Sequence, residues 1–211
     1  LADYSGMVHG SISIGASETA LNIYLFDKLR SFHTAYPGIR LRIYNHSTPE
    51  AVESVKNGLA DFAVVTTPLQ AKKPLKSTSL MSFKEIAVGD HSFQGKEKPI
   101  RLKDLIENPL ISLGQGSTTY EFYSKFFLEN DLVLSPDTEV ETIDQVLPLI
   151  MNGLGIGFLP ELFVRPVIEE RKVCQIPLKE NIPERKICLV ENHTFPPSIA
   201  AEMFKKMLVL K

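Results

Sequence analysis

The sequence predicts an α/β fold built from two lobes. Strands and helices alternate along the chain, and this order builds parallel sheets with helical crossovers. One arrangement, a strand that runs through a hydroxyl-rich turn into a helix, occurs first at Gly10–Pro37 and again at Pro109–Asn130. Each occurrence leaves backbone N–H groups and hydroxyls at a helix N-terminus, where an anionic or oxygen-rich molecule can bind. The repeated arrangement therefore predicts two lobes, each presenting a helix N-terminus.

The first lobe begins with a strand, a turn and a long helix. Polar and apolar residues alternate over Ser11–Ile14, as they do in a half-buried strand. The turn Ala16–Thr19 follows, and apolar residues then recur at helical spacing until Pro37–Gly38 ends the helix. On this segment alone, helix capping by Ser17 or Thr19 is the simpler interpretation, because most strand-to-helix turns need a cap.

Two more strands and a helix continue the first lobe. Strict alternation predicts a strand over Ile39–Tyr44, and Ser47–Glu50 has the hydroxyl, proline and acid of a helix start. That helix ends at Asn57–Gly58 and leads to a short apolar strand, Phe62–Val65, which stops at Thr66–Pro68. The resulting order of strand, helix, strand, helix, strand implies right-handed crossovers onto a parallel sheet.

The rest of the chain alternates in the same way. Gln70–Ser79 is polar and lysine-rich, and it predicts a surface connection. The elements predicted after it are a strand at Leu80–Val88, a helix at Ile100–Glu107, a strand at Pro109–Leu113, a polar turn at Gly114–Thr119, a helix at Tyr120–Asn130, a strand at Thr138–Glu141, a helix at Ile143–Asn152, strands at Val173–Leu178 and Lys186–Val190, and an amphipathic helix at Ser198–Leu210.

The composition is that of an ordinary globular protein. The chain of 211 residues holds 23 Lys and Arg against 25 Asp and Glu, a net charge of -2 that gives no general attraction to nucleic acid or membrane. It has no apolar run of the roughly 18 residues that a membrane span needs, and its start does not resemble a signal peptide. It also lacks an initiator methionine, so we expect a fragment or a processed product.

No residue pattern requires catalysis, a metal or a cofactor. The five histidines are scattered, with none of the spacings of a metal site, and no Gly-x-Ser-x-Gly motif supports a catalytic triad. The glycine-rich run 153–157 follows a helix instead of opening one, so it predicts a tight connection into a strand and not a dinucleotide loop. Gly114–Ser117 has the position of an anion-binding turn, but it lacks the Lys-Ser/Thr ending of a nucleotide loop.

The two cysteines, Cys174 and Cys188, each lie in an apolar, strand-like run. Two reduced core thiols are the favoured interpretation. A disulfide stays open, because the two runs are able to pair.

Several short motifs follow one another in order over almost the whole chain. In the first half they are the strand Gly10–Gly15, the helix end Tyr36-Pro37-Gly38-Ile39, and Gly58-x-x-Asp61-Phe-Ala-Val. In the second half they are Pro109-Leu-Ile, Asn152-Gly-Leu-Gly-Ile-Gly-Phe-Leu-Pro160, and Arg185-Lys-Ile-Cys-Leu-Val190 before a final helix. In order and spacing, this set closely resembles the effector-binding domain of LysR-type transcriptional regulators.

The resemblance implies two Rossmann-like lobes of the type-2 periplasmic-binding-protein kind, joined by two crossover segments. Lobe I would span residues 1–80 and 191–211, and lobe II residues 81–190. A small-molecule effector, a small polar or carboxylate metabolite, would bind in the cleft between the lobes and alter the geometry of the oligomer. The family forms homodimers that build homotetramers, acts in the cytoplasm without membrane contact, and reaches DNA through an N-terminal winged helix-turn-helix that this sequence does not include.

The effector-binding residues that the resemblance implies lie in turns and carry hydroxyls, amides or exposed N–H groups. They are Ser17, Glu18 and Thr19 in the first turn, Thr66 and Thr67 at the end of the third strand, and Gln115, Gly116, Ser117 and Thr118 in the lobe II turn. Glu18 departs from the neutral residues common in the family, and it would disfavour a dianionic effector unless it points away or pairs with a ligand amine. No arginine stands at these positions, so a carboxylate would be held by hydroxyls and helix N-termini. No metal or cofactor is implied.

Three functions fit the sequence to different degrees. The sensor domain of a transcriptional regulator fits all the motifs. A solute-binding protein of a transport system would use the same cleft, but export needs a signal, and the chain shows none. A small enzyme on a similar two-lobed fold would need a convergent acid and base, and only Glu18 presents itself. We therefore expect a ligand-sensing regulatory domain without catalytic residues.

Overall fold

The structure is a computed structural model that describes residues 9–45, 47–95 and 98–209. The chain divides into two compact units, one formed by Leu1–Met81 with Lys186–Lys211, the other by Ser82–Arg185. Each unit contains one five-stranded sheet. The predicted α/β class with two lobes is therefore confirmed.

The first unit is built on a mixed sheet. Its strands are β1 (Gly10–Ala16), β2 (Ile39–Asn45), β3 (Phe62–Thr66), β4 (Leu75–Phe83) and β10 (Arg185–Asn192). Its helical elements are α1 (Glu18–Ala20), a π-helical segment (Leu21–Leu25), α2 (Phe26–Ala35), α3 (Thr48–Lys56) and α8 (Ile199–Val209). The strand order is β2-β1-β3-β10-β4, with β1 parallel to β2 and β3, and β10 antiparallel to β3. The parallel crossovers expected from the sequence are therefore confirmed.

Local sequence signals explain where the helices of this unit start and what they bury. Ser47 caps the start of α3, as the sequence predicts, and it forms a capping box with Glu50. On the other face of the sheet, Phe32 of α2 and Phe204 of α8 meet with ring centroids 5.0 Å apart, and Phe204 stacks on Phe62 of β3 at 6.0 Å. Packing of these buried rings fixes both helices on the sheet.

The second unit is built on another mixed sheet. Its strands are β5 (Glu85–Gly89), β6 (Leu110–Leu113), β7 (Thr138–Val140), β8 (Ile156–Pro160) and β9 (Cys174–Ile176). Its helices are a 3-10 turn (His91–Phe93), α4 (Leu102–Leu105), α5 (Thr118–Leu128), α6 (Ile143–Met151) and α7 (Glu161–Glu169). The strand order is β7-β6-β8-β5-β9, with β6 parallel to β7 and β8, and β5 antiparallel to β8 and β9.

Apolar side chains cover both faces of this second sheet. Ala87 and Phe158 face the α4 and α5 side, where Tyr123 and other aromatic residues fill the core. Ile86 and Leu159, one position away on the same strands, face α6 and α7. A helical layer on each face is the arrangement expected for strands that are apolar at nearly every position.

The glycine-rich connection 153–157 is a tight entry into β8, as predicted. Gly153 has a φ of +74° and Gly155 a φ of +153°, both in the region that favours glycine. A Cβ on Gly155 would lie 2.3 Å from the carbonyl oxygen of Pro109, so the close approach of these two segments also requires glycine.

Several predicted boundaries are wrong. Leu80–Val88 is not one strand, because Lys84 separates β4 from β5 and the two strands belong to different sheets. Gln70–Ser79 is not entirely a loop: β4 starts at Leu75, and its polar residues reflect an edge strand with one exposed face. Helix α7, which has Pro166 inside it, was not predicted.

The second boundary between the units also differs from the expected one. Residues 186–190, which the resemblance placed in lobe II, belong to the first unit because they pair with β3.

The two cysteines are free thiols. Cys188 lies in β10 and Cys174 in β9, and no disulfide joins them. In the part of the chain that the structure describes, no helix is long and apolar enough to cross a membrane.

Candidate functional site

The first candidate turn lies at the carboxyl edge of the parallel strands β1, β2 and β3. Ser17 directly follows β1, and its backbone N–H donates to the carbonyl of Val64 in β3 at 3.1 Å. Thr66 is the last residue of β3, and its carbonyl accepts a hydrogen bond from Thr48 Oγ1 at 3.2 Å. The predicted residues Ser17 and Thr66 therefore lie at one sheet edge, together with Thr48, which the sequence prediction did not include. Ligands of open α/β sheets bind at this edge.

Ser17 caps the helix that follows it. Its Oγ accepts a hydrogen bond from the backbone N–H of Ala20 at 3.4 Å, and its carbonyl accepts one from Leu21 at 2.9 Å. Ser17 and Thr19 are buried, with 6% and 5% of their surfaces exposed. The cap uses one lone pair of the hydroxyl, so its hydrogen can still be donated to a ligand.

A π-helical segment, Leu21–Leu25, follows this turn. The sequence did not predict this segment. Asn22 donates from its side chain to the carbonyl of Glu18 at 3.0 Å, and this bond satisfies a carbonyl at the start of the helix. The hydroxyl of Tyr24 donates to the carbonyl of Leu208 in α8 at 2.6 Å. Partial burial raises the pKa of Tyr24, so the hydroxyl stays protonated as a donor. Glu18 itself is half-buried.

Thr67 is held by the backbone of β10. Its N–H donates to the carbonyl of Lys186 at 2.9 Å, and its Oγ1 accepts a hydrogen bond from the N–H of Lys186 at the same distance. Thr66 is buried, with 2% of its surface exposed. The backbone contacts of the two threonines with β10 and α3 fix the end of β3.

The second candidate turn joins β6 to α5. Ser117 caps α5: its Oγ accepts a hydrogen bond from the N–H of Tyr120 at 3.0 Å and donates one to the carbonyl of Gly114 at 3.0 Å. Gly116 has a φ of +89°, which glycine adopts without strain. Gln115 and Gly116 are exposed, whereas Thr118 is buried. The four predicted residues are therefore contiguous around a capped helix N-terminus.

A buried ion pair lies behind this second turn, and sequence reasoning missed it. Arg185 is fully buried, and its Nη1 donates to Glu85 Oε1 at 2.7 Å and to Thr119 Oγ1 at 3.2 Å. Its guanidinium carbon lies 5.1 Å from the ring centroid of Phe122 and 5.6 Å from that of Phe83. A usable signal is present in the sequence, since Glu85 opens a strand that is otherwise apolar and Arg185 lies just before the apolar run Ile187–Val190.

Burial dominates the electrostatics of this group. It raises the pKa of the Glu85 carboxyl, and the charge and hydrogen bond of Arg185 oppose that rise. Burial also raises the pKa of Tyr123 well above its ordinary value, and the nearby Glu85 carboxylate adds to that rise. Tyr123 is therefore a neutral phenol beside the ion pair.

Metal ligands are not grouped in the described part of the chain. Among those residues, no set of three or more His, Cys, Asp or Glu side chains is close enough to hold a metal ion. The two turns instead offer hydroxyls and helix N-termini, which suit the binding of polar or anionic groups.

The chain has relatives among transcriptional regulators. It is 26% identical over 177 residues to YwqM, an uncharacterized HTH-type transcriptional regulator of Bacillus subtilis strain 168, and the match covers 82% of this chain and 60% of that protein. It is 29% identical over 217 residues to a probable RuBisCO transcriptional regulator of Phaeodactylum tricornutum, with 99% of this chain and 70% of that protein covered. The chain thus spans less than two thirds of the length of YwqM. These relatives give no support to the transport alternative.

Solved structures of regulator domains share the fold. The cofactor-binding domain of the Cbl transcriptional regulator has a TM-score of 0.85 at 18% identity, with 99% of this chain and 91% of that chain covered. The effector binding domain of QuiR in complex with shikimate has a TM-score of 0.81 at 18% identity, covering 95% and 96%. The regulatory domain of CcmR from Synechocystis PCC6803 in complex with 2-PG has a TM-score of 0.84 at 15% identity, covering 95% and 96%.

The family is established by the sequence. The family model of the LysR substrate binding domain matches residues 5–209. This match includes both units and both candidate turns. The chain therefore belongs to the family of LysR substrate binding domains.

Proposed function

We propose that the chain is the effector-sensing domain of a DNA-binding transcriptional regulator and that its effector is a small polar or carboxylate metabolite. One observation carries the choice of effector class: in each unit a parallel strand ends in a helix N-terminus capped by a serine, Ser17 or Ser117. Unpaired N–H groups and the helix dipole favour anionic or oxygen-rich groups at such an end. Family membership supports the sensing role.

The proposed effector contacts are the hydroxyl, amide and backbone groups of the two turns. They are Ser17, Glu18, Thr19, Thr66, Thr67, Gln115, Gly116, Ser117 and Thr118. Because a carboxylate repels other negative charges, the presence of Glu18 leads us to propose an effector with no more than one negative charge, or one with an amine that pairs with this side chain. We propose no catalytic step, no metal and no cofactor.

Two structural neighbours support this chemical class. QuiR is in complex with shikimate and CcmR is in complex with 2-PG. At 18% and 15% identity these proteins share the fold with this chain, and they do not identify its effector. We propose that this chain binds a molecule of similar size and polarity.

The match covers 60% of YwqM, an HTH-type regulator, and this supports a proposal about the longer protein. We propose that the longer protein carries an N-terminal winged helix-turn-helix that binds DNA, works in the cytoplasm, and forms homodimers and homotetramers. Effector binding then alters the geometry of the oligomer. For this to happen, the effector must bind one geometry more tightly than the other, because only differential affinity shifts an equilibrium.

A ligand screen followed by point variants tests the proposal. A thermal shift screen of small hydroxy and carboxy acids, shikimate included, identifies compounds that raise the melting temperature by mass action. Titration calorimetry with the best compound is then repeated for Ser17→Ala, Thr66→Ala and Ser117→Ala. We expect each affinity to fall about tenfold, as for the loss of a hydrogen bond to a charged or polar ligand group.

Ser31→Ala is the matched control, because Ser31 is an exposed serine of α2 whose hydroxyl bonds only to the helix carbonyl of Asp27 in the described contacts. Its affinity should equal that of the wild type. Unchanged affinity in all three turn variants, with folding verified by circular dichroism, would rule out these turns as the effector site.

A further inference from the structure

Two adjacent residues, Arg185 and Lys186, lie where the chain passes from the second unit to the first. Within the second unit, Arg185 donates from Nη1 to Thr119 Oγ1 at 3.2 Å, in the first turn of α5. Within the first unit, the backbone of Lys186 exchanges two hydrogen bonds of 2.9 Å with Thr67. Neighbouring residues of one strand thus hold both turns that are proposed to contact the effector.

Arg185 also contacts the segment through which the chain first enters the second unit, between Met81 and Ser82. Its guanidinium carbon lies 5.6 Å from the ring centroid of Phe83, and its Nη1 lies 2.7 Å from Glu85 Oε1. One buried cation therefore links the first turn of α5 to both segments that join the units.

Core stability alone does not account for this arrangement. Replacing a buried ion pair with well-packed apolar residues often leaves a protein equally stable or makes it more stable. Hydrogen bonds from a planar guanidinium, in contrast, fix both distance and direction. The contacts of Arg185 are thus better suited to holding several segments in one geometry than to adding stability.

We propose that Arg185 and Lys186 act as positioning residues that couple the two turns. A shift of the first turn of α5 moves Thr119 and changes its bond to Arg185. The peptide link carries that change to Lys186 and so to Thr67 at the end of β3. The inference rests on the proposed function for the role of the turns, and by linkage the coupling acts equally in both directions.

Amide hydrogen exchange on the unliganded chain tests the coupling. Thr119→Val removes the hydroxyl that accepts from Arg185 and keeps the size and branching of the side chain. We expect the amides of Lys186 and Thr67 to exchange about tenfold faster than in the wild type, as for loss of a hydrogen bond to a charged group. Thr67 lies in the other unit, so a purely structural ion pair would leave its exchange unchanged.

Ser117→Ala is the control, since it removes the cap of α5 and spares the contact of Thr119 with Arg185. It should speed exchange only in the first turn of α5. The coupling is refuted if Thr119→Val affects the second unit alone, or if Ser117→Ala has the same effect on Thr67. If the effector screen finds no ligand, the proposed function is contradicted, but the hydrogen-exchange result still tests the coupling, because that experiment uses no ligand.

Discussion

The turns at Ser17 and Ser117 share the same order of strand, serine cap and helix, but different interactions stabilise them. The first is fixed by the sheet, because the backbone of Ser17 bonds directly to Val64 of a neighbouring parallel strand. The second depends on glycine at position 116, with its positive φ, and on the buried Arg185 behind α5. Backbone contacts tolerate most substitutions, whereas a buried charge and a positive φ do not. The second turn should therefore be the more sensitive of the two.

The largest expected effect is in the buried ion pair. Arg185→Met should destabilise the second unit by about 3–5 kcal/mol, because it leaves the Glu85 carboxylate buried without its counter-ion. Urea unfolding followed by circular dichroism measures the loss. The exposed pair of Asp27 and Arg30 in the first unit is the comparison, and Asp27→Ala should cost less than about 0.5 kcal/mol.

A second substitution tests the reason for the loss. Adding Glu85→Gln to Arg185→Met should restore much of the lost stability, and a double variant no more stable than the single one would contradict this explanation.

The same variant should show a pH-dependent loss. Burial raises the pKa of Glu85 and Arg185 opposes that rise, so removal of Arg185 raises the pKa of Glu85 further. A carboxyl group whose pKa is raised in the folded state favours folding while it is protonated. This contribution to stability is fully present below the unfolded pKa, about 4.3, and it is lost as the pH rises through the folded pKa. The loss in Arg185→Met should therefore be larger at pH 8 than at pH 5. Equal losses at the two pH values would show that Glu85 does not titrate between them.

A smaller effect is expected from the backbone of the second turn. Gly116→Ala should cost about 1–2 kcal/mol, because alanine is strained at positive φ. Apart from Gly116 and its two chain neighbours, no described residue has a heavy atom within 4 Å of the added Cβ, so the loss reports backbone conformation alone. Ser17→Gly in the first turn should cost only a few tenths of a kcal/mol. Thermal unfolding of both variants decides whether the second turn is the more sensitive one.

The smallest expected difference is between the two serine caps. Ser117→Ala should cost about 1 kcal/mol and Ser17→Ala about half of that, because a cap is worth 0.5–2 kcal/mol and the Ser17 bond is the longer one. Chemical unfolding of the two variants side by side measures the difference. A larger loss in Ser17→Ala would reverse the comparison.

Sequence reasoning predicted the elements that local patterns define. Ser47 with Glu50 marks the start of α3, and the alternating residues of β1 and β2 mark strands, because caps and periodicity need no tertiary information. It did not predict the change of sheet at Lys84, since a continuous apolar run looks the same whether it pairs in one sheet or in two.

The predicted site shows the same division between local and long-range information. The serines of both turns were identified because a hydroxyl before a helix is a local signal. The contact of Arg185 with Glu85 joins residues a hundred positions apart, so it depends on the tertiary structure that brings the start of β10 next to the start of β5. Thr48 was missed for the same reason, as its contact with Thr66 depends on how α3 packs on β3.

The strand order of the first sheet also determines when each unit can be completed during synthesis. The second unit is one uninterrupted stretch, so all of its strands have been synthesised once Arg185 has been added. In the first sheet, β10 lies between β3 and β4, and β4 has no other partner in the order β2-β1-β3-β10-β4. Nascent domains generally fold as units from the N-terminus. Here the unit that comes first along this chain is the last to close, because β10 of its sheet is synthesised only after the second unit.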